Sequence, residues 1–177
     1  TDLIVNAGSQ ITADGANGGS VALSAGDEML VAGIVSANGL DGNGGAITLS
    51  ATDLTVTPTG VVSASGTVNG GIVNMSAQGE MVILGEVLAT GRDGDGGQIG
   101  ISGENVLVGA NGVVDASGGS NGGSVNISAS EDATILGKVR AVGNGGDGGS
   151  ISIDGTNVLI GPTAEVDASG ATNGGNI

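Results

Sequence analysis

The sequence predicts an all-β fold: a parallel β-solenoid of about seven rungs with three short strands in each 26-residue rung. Three observations predict it. The signal Asn/Asp-Gly-Gly stands at 17–19, 43–45, 69–71, 95–97, 121–123, 147–149 and 173–175, and every step between copies is 26 residues. Between copies, Val, Ile, Leu and Ala fall in short alternating runs, which is the pattern of strands. No stretch of helical periodicity intervenes, so a doubly wound sheet is excluded.

Cutting after each Gly-Gly-x divides the chain into units 21–46, 47–72, 73–98, 99–124, 125–150 and 151–176. Residues 1–20 read as the tail of a preceding unit and Ile177 as the first residue of a following one. The whole of 1–177 is therefore one solenoid domain, expected to be a piece of a longer array without its natural caps.

Each unit opens with a strand: "VALSA", "ITLSA", "VNMSA", "IGISG", "VNISA" and "ISIDG". Alternation puts its first, third and fifth residues on one face and Ser24, Ser50, Ser76, Ser102, Ser128 and Asp154 on the other. A middle segment follows. Its inward pairs in alternate units are Leu54 and Val56, Val106 and Val108, and Val158 and Ile160. The closing strand is the most regular. Ile11, Val35, Val62, Val87, Val114, Val139 and Val166 are each followed two residues later by Ala and four residues later by Gly. Side chains shrink as this strand enters the turn, as a narrowing corner demands.

The units alternate in two types. Units 47–72, 99–124 and 151–176 have a longer second turn, "TPTG", "GANG" and "GPTA". Units 21–46, 73–98 and 125–150 have a longer, more acidic last loop, "GLDGNGG", "GRDGDGG" and "GNGGDGG". The sequence repeat is thus two rungs. Stacked rungs place like residues about 4.8 Å apart, so seven span roughly 33 Å. Residue n is expected to lie over residue n+26. At the corner, Gly-Gly is expected to supply backbone angles that a side chain forbids. Asn17, Asn43, Asn69, Asp95, Asn121, Asp147 and Asn173 are expected to form a structural ladder, with Asn and Asp tolerating left-handed geometry and Asn amides bonding rung to rung. The competing picture is a set of independent Asn-Gly hairpins.

Composition bounds the function. The chain has 39 Gly and no aromatic residue, Cys or His. The core must therefore be thin and aliphatic, and disulfide or thiolate metal sites are excluded. The mean hydropathy is +0.30, so this is not a solvated low-complexity tail. The formal net charge of −15 comes from 18 acids against Arg92, Lys138 and Arg140. It argues against nucleic acid or an anionic membrane as partner and favours solubility. No apolar run approaches the roughly 20 residues of a membrane span, so no membrane insertion is expected. No secretory signal is recognisable at "TDLIV".

The runs Val114-Asp115-Ala116-Ser117-Gly118 through Ile127, and Val166-Asp167-Ala168-Ser169-Gly170 through Ile177, alternate with units ending "GGDGGSISI". Over essentially the whole chain this resembles the repeat stalk of the filamentous-haemagglutinin-like large exoproteins of Gram-negative bacteria. That resemblance implies a right-handed parallel β-helix, export by two-partner secretion to the outer cell surface or beyond, and roles in adhesion or contact-dependent competition. Any cell-surface or carbohydrate ligand would then be read by regions outside this segment.

The residues bear on four kinds of activity. Catalysis would need clustered acids and bases or sugar platforms. Asp115 and Asp167, two rungs apart with Arg140 between, and Lys138 beside Glu165, read better as surface charge pairs. Calcium is the one cofactor the loops suggest. "DGNGGA" and "DGDGGQ" resemble the Gly-Asp loops of calcium-binding β-rolls, with Asp41, Asp93, Asp95 and Asp147 as candidate ligands. Those rolls use acidic loops in consecutive rungs, whereas here they come every second rung, about 9.6 Å apart. Ice binding would need a flat outward ladder of Thr, but the closing strand offers Thr12, Ser36, Ser63, Leu88, Asp115, Arg140 and Asp167. Lateral association remains. Ile4, Leu107 and Leu159 sit where alternation points outward, and "EMLVA" and "EMVIL" lack a polar face, an apolar stripe open to another filament. The expectation is a non-enzymatic structural segment of a secreted or cell-surface, adhesin-like rod that self-associates. A calcium-stabilised adhesive module or a carbohydrate-active β-helix enzyme are the alternatives.

Overall fold

A computed structural model describes residues 1–177. It contains strands and turns and no helix. The strands form three parallel sheets. The opening strands, of which Ala46–Ala51 is typical, make a six-stranded sheet, while the middle strands (as Asp53–Val56) and closing strands (as Val61–Ser63) make seven-stranded sheets. Within each sheet, strands follow one another in rung order and every pairing is parallel. Hairpins pair their strands antiparallel, so the independent-hairpin picture is excluded.

Alternation sets the core as the sequence implied. Ile47 and Leu49 of one opening strand are buried and Thr48 between them is exposed. Leu54, Val56, Val106 and Val108 are buried. Val158 and Ile160, in the last rung, are half-exposed. In the other rung type the same two columns are filled by Met29 and Val31, Met81 and Ile83, and Ala133 and Ile135. The closing column Val35, Val62, Val87, Val114 and Val139 has no exposed surface, and neither have Ala37, Ala64, Ala89, Ala116 and Ala141 beyond it. The core is one continuous aliphatic column filled without aromatic rings.

The register corrects one expectation. Residue n lies over n+26 throughout the opening sheet, where Ile47 pairs with Val73 and Ile99 with Val125, and along the Asn/Asp-Gly-Gly corner, where Asn69 bonds Asn43. In the middle sheet the first pairing, Leu3 with Met29, keeps 26, and the step then alternates: Leu54 pairs with Met29 (54 − 29 = 25) and with Met81 (81 − 54 = 27). In the closing sheet it alternates in the opposite sense, since Val62 pairs with Val35 (27) and Val87 (25), and Val114 with Val139 (25). Turn lengths explain this. Val21 to Met29 is 8 residues but Ile47 to Leu54 is 7; Met29 to Val35 is 6 but Leu54 to Val62 is 8. The third turn, 12 residues from Val35 to Ile47 but 11 from Val62 to Val73, absorbs the remainder, so opening strands stay in phase while the other two sheets shift. Columns are kept because burial of like side chains, not residue count, fixes register.

The turns are laddered too. Of 131 backbone hydrogen bonds, 77 lie outside regular strand pairing, many of them from one rung's turn to the next, as Gly44 N–H to Asn69 C=O at 2.9 Å. Gly15, Gly39, Gly66, Gly91, Gly118, Gly143 and Gly170 form an unbroken chain of parallel bridges along the corner.

Candidate functional site: the corner ladder and the outward faces

The corner ladder exists, and its geometry is more specific than a stack of amides. Asn43 Oδ1 accepts the main-chain N–H of Asn69 at 3.2 Å, and the next residue, Gly44, donates its N–H to the C=O of the same Asn69 at 2.9 Å. Both polar groups of one residue's backbone are thus gripped by two adjacent residues of the neighbouring rung. The same clamp joins Asn17-Gly18 to Asn43, Asn69-Gly70 to Asp95, Asp95-Gly96 to Asn121, and Asn121-Gly122 to Asp147. In a regular parallel ladder the C=O of residue i−1 and the N–H of i+1 hold the residue opposite i. Here the side-chain oxygen of i replaces that carbonyl, at a corner where the backbone has turned away. Short Asx side chains suit this because they reach neighbouring backbone groups.

The side-chain amides add a second, alternating layer. Asn69 Nδ2 donates to Asn43 Oδ1 at 3.0 Å, Asn121 Nδ2 to Asp95 Oδ1 at 2.9 Å and Asn173 Nδ2 to Asp147 Oδ1 at 2.7 Å. Both carboxylates of the ladder therefore receive an amide donor from an Asn in the following rung. Asp95 and Asp147 never meet, because Asn121 lies between them.

The reason for Gly-Gly differs from the expected one. Gly8 is the sole residue with positive φ, and no Asn or Asp is left-handed. The corner glycines serve close approach instead. A Cβ on Gly44 would run into the Ala64 carbonyl and the Gly71 amide of the next rung. Side chains are excluded there by neighbouring backbone, not by their own torsions.

A second clamp column, which the sequence reading missed, stands before the glycines that follow the closing strand. Asp14 Oδ1 accepts Asn38 N–H at 2.6 Å while Gly15 N–H binds Asn38 C=O. Asn38-Gly39 grips Ser65, Ser65-Gly66 grips Thr90, and Ser117-Gly118 grips Val142 in the same way. The signal was present: a short polar residue stands directly before Gly15, Gly39, Gly66 and Gly118. It was hidden because Thr90 and Val142 interrupt the column.

The candidate calcium ligands Asp41, Asp93, Asp95 and Asp147 are all exposed. Asp95 and Asp147 are members of the ladder. Asp41 and Asp93 sit in corner loops two rungs apart, where their main-chain N–H groups bind Ala16 and Thr67 carbonyls. Nowhere do three His, Cys, Asp or Glu side chains converge on a point that could hold a metal ion.

On the closing sheet, Asp115, Arg140 and Asp167 are vertical neighbours in register. Arg140 lies 3.9 Å from Asp115 and 3.6 Å from Glu165, which in turn is 3.5 Å from Lys138. Asp115 and Asp167 each accept the N–H of the Ser two residues on. For Asp167, bonds from Ser169 side chain and backbone lower the carboxyl pKa, slight burial opposes this, and Arg140 adds to the lowering. These are partly exposed charge pairs, with Asp115 the most covered, and no substrate-sized cleft lies between them. The same outward column departs from expectation at Ser36 and Ser63. Both are buried, and their hydroxyls donate to Asp14 Oδ2 and Asn38 Oδ1.

The middle sheet's outward column reads Ile4, Leu30, Thr55, Val82, Leu107, Thr134 and Leu159 in register. Two threonines interrupt the apolar stripe. Ile4 and Leu159 are 57% exposed, and the five residues between them are half-buried by their own vertical neighbours. The opening sheet shows Ser24, Ser50, Ser76, Ser102, Ser128 and Asp154 in one outward column. No helix is long and apolar enough to cross a membrane. No family model, curated protein or solved structure matches the chain.

Proposed function

We propose that the chain is a load-bearing rod segment of a secreted or cell-surface, adhesin-like bacterial protein, and that its work is mechanical rather than catalytic. The observation that carries this reading is the unbroken ladder of glycine bridges from Gly15 to Gly170, flanked by the two clamp columns. Each rung is bonded to its neighbours in strands and in turns. Stability then adds rung by rung, and length is limited only by the number of repeats. The absence of aromatic residues and His removes the usual tools of sugar binding and acid–base work, and the charge of −15 keeps parallel copies apart except where an apolar surface offsets repulsion. The Val114–Gly118 and Val166–Gly170 motifs, similar to those of filamentous-haemagglutinin-like exoproteins, support an extracellular setting. Lateral association through the column containing Leu30, Val82 and Leu107 is part of this reading.

The test is a deletion of 73–124, which removes one two-rung repeat and rejoins like with like. Small-angle scattering should show a particle shortened by about 9.6 Å that still melts in one transition. Loss of folding or an unchanged length would refute the rod. For the setting, protease added to intact cells that carry the full-length protein should clip it. Full protection on intact cells would refute surface exposure.

A further inference from the structure

The chain contains eight Asn-Gly pairs, at 17, 38, 43, 69, 111, 121, 144 and 173. Asn-Gly is the dipeptide most open to spontaneous deamidation, since glycine leaves its own nitrogen unshielded by a side chain. In that reaction the Gly nitrogen attacks the Asn Cγ, an N–C bond forms and the Cγ–Nδ2 bond breaks. Ammonia leaves with the proton given up by the Gly amide. Water then opens the resulting succinimide at either carbonyl, leaving Asp or its β-linked isomer. The Asn side chain must be free to swing back over the following amide, and that amide must be free to leave its own hydrogen bond.

The clamp denies both conditions. At Asn17, Asn38, Asn43, Asn69 and Asn121 the side-chain oxygen and the following Gly N–H are committed to the N–H and C=O of one residue in the next rung. The two groups that would have to meet point the same way along the rod and are held apart by the peptide they grip. Asn144 and Asn173 are tied through Nδ2, to Gly118 C=O and Asp147 Oδ1. Asn111 differs from all of these. It is exposed, and its side chain takes part in no hydrogen bond. The Gly112 N–H is used in a turn bond to Gly109 C=O at 2.7 Å, and not between rungs. Breaking that single bond frees the Gly112 nitrogen while the bonds between rungs on either side, Lys138 N–H to Gly112 C=O and Val113 N–H to Gly85 C=O, stay in place.

We propose that Asn111 is a site of spontaneous deamidation, and that the clamp holds the Asn-Gly bonds at 17, 38, 43, 69 and 121 against the same reaction. A rod long exposed outside a cell would then acquire a new carboxylate at this outer turn while its clamped corners stay intact.

The test is peptide mapping by mass spectrometry after prolonged incubation of the folded chain in mildly alkaline buffer at physiological temperature. Deamidated peptides are heavier by about 1 Da. Asn111 should convert at least about tenfold faster than Asn43, Asn69 and Asn121, the factor supplied by two ordinary hydrogen bonds that must break together. In urea the rates should converge. Asn111→Ser should abolish the dominant acidic species on anion exchange. Equal rates at Asn111 and the ladder in the folded chain, or a rate gap that survives in urea, would overturn the proposal.

Discussion

Leu84 lies across Gly109 of the following rung: a Cβ on Gly109 would meet its Cδ2. Leu136 covers Gly161 in the same manner, one two-rung repeat later. A large side chain in one rung type thus nests over a glycine in the other. The obstacle at Gly109 is the end of a flexible side chain, whereas at Gly44 it is the backbone of Ala64 and Gly71. Gly109→Ala should cost under about 1 kcal/mol, because Leu84 can turn aside, and Gly44→Ala more than about 2 kcal/mol. Urea denaturation of both variants checks this. Equal costs would mean that the two corners tolerate a methyl group alike.

Ala116 has no exposed surface and ends the closing column of the core. Ala116→Leu adds volume where the corner narrows, and should destabilise by about 1–3 kcal/mol. The melting temperature reports it; no change would mean that the corner has room to spare.

The ladder's charge spacing gives a paired prediction. Asn43 uses its Oδ1 as acceptor for Asn69 while its own Nδ2 donates to nothing, so Asn43→Asp should be nearly neutral. Asn121 lies between Asp95 and Asp147 and donates Nδ2 to Asp95. Asn121→Asp would remove that donor and stack three carboxylates, at a cost of about 1–2 kcal/mol. Added salt should recover part of that loss. Equal melting temperatures for the two variants would contradict the alternation.

Asp167 supplies a pH dependence. Its carboxyl is held below the ordinary value of about 4, chiefly by the bonds from Ser169. Because the folded pKa is the lower one, the contribution is fully present above the unfolded value and is lost as pH falls through the folded one. Carboxyl chemical shifts followed through an acid titration should place the Asp167 midpoint below that of an unstructured Asp. Ser169→Ala should raise it. A midpoint at or above the ordinary value would rule the Ser169 bonds out as its cause.

Much of this was legible in the residues, for particular reasons. Alternation at Ile47 and Leu49 and the recurring Val-x-Ala-x-Gly told which side chains face inward, because a strand has period two and the core excludes water. The Asn and Asp positions of the ladder were likewise readable from their constant 26-residue period. The candidate calcium residues were legible as acids in glycine loops of every second rung, because the 26-residue corner period counts rungs directly.

What the chain determined by itself is periodicity: which residue types recur, and hence which column each joins. What only the folded rungs decided is contact. The burial of Ser36 and Ser63, the nesting of Leu84 on Gly109 and the double grip of Asn43-Gly44 on Asn69 all arise between rungs. They depend on turn lengths summed over a whole circuit and on backbone atoms brought within about 5 Å of one another, quantities that no single stretch of sequence carries.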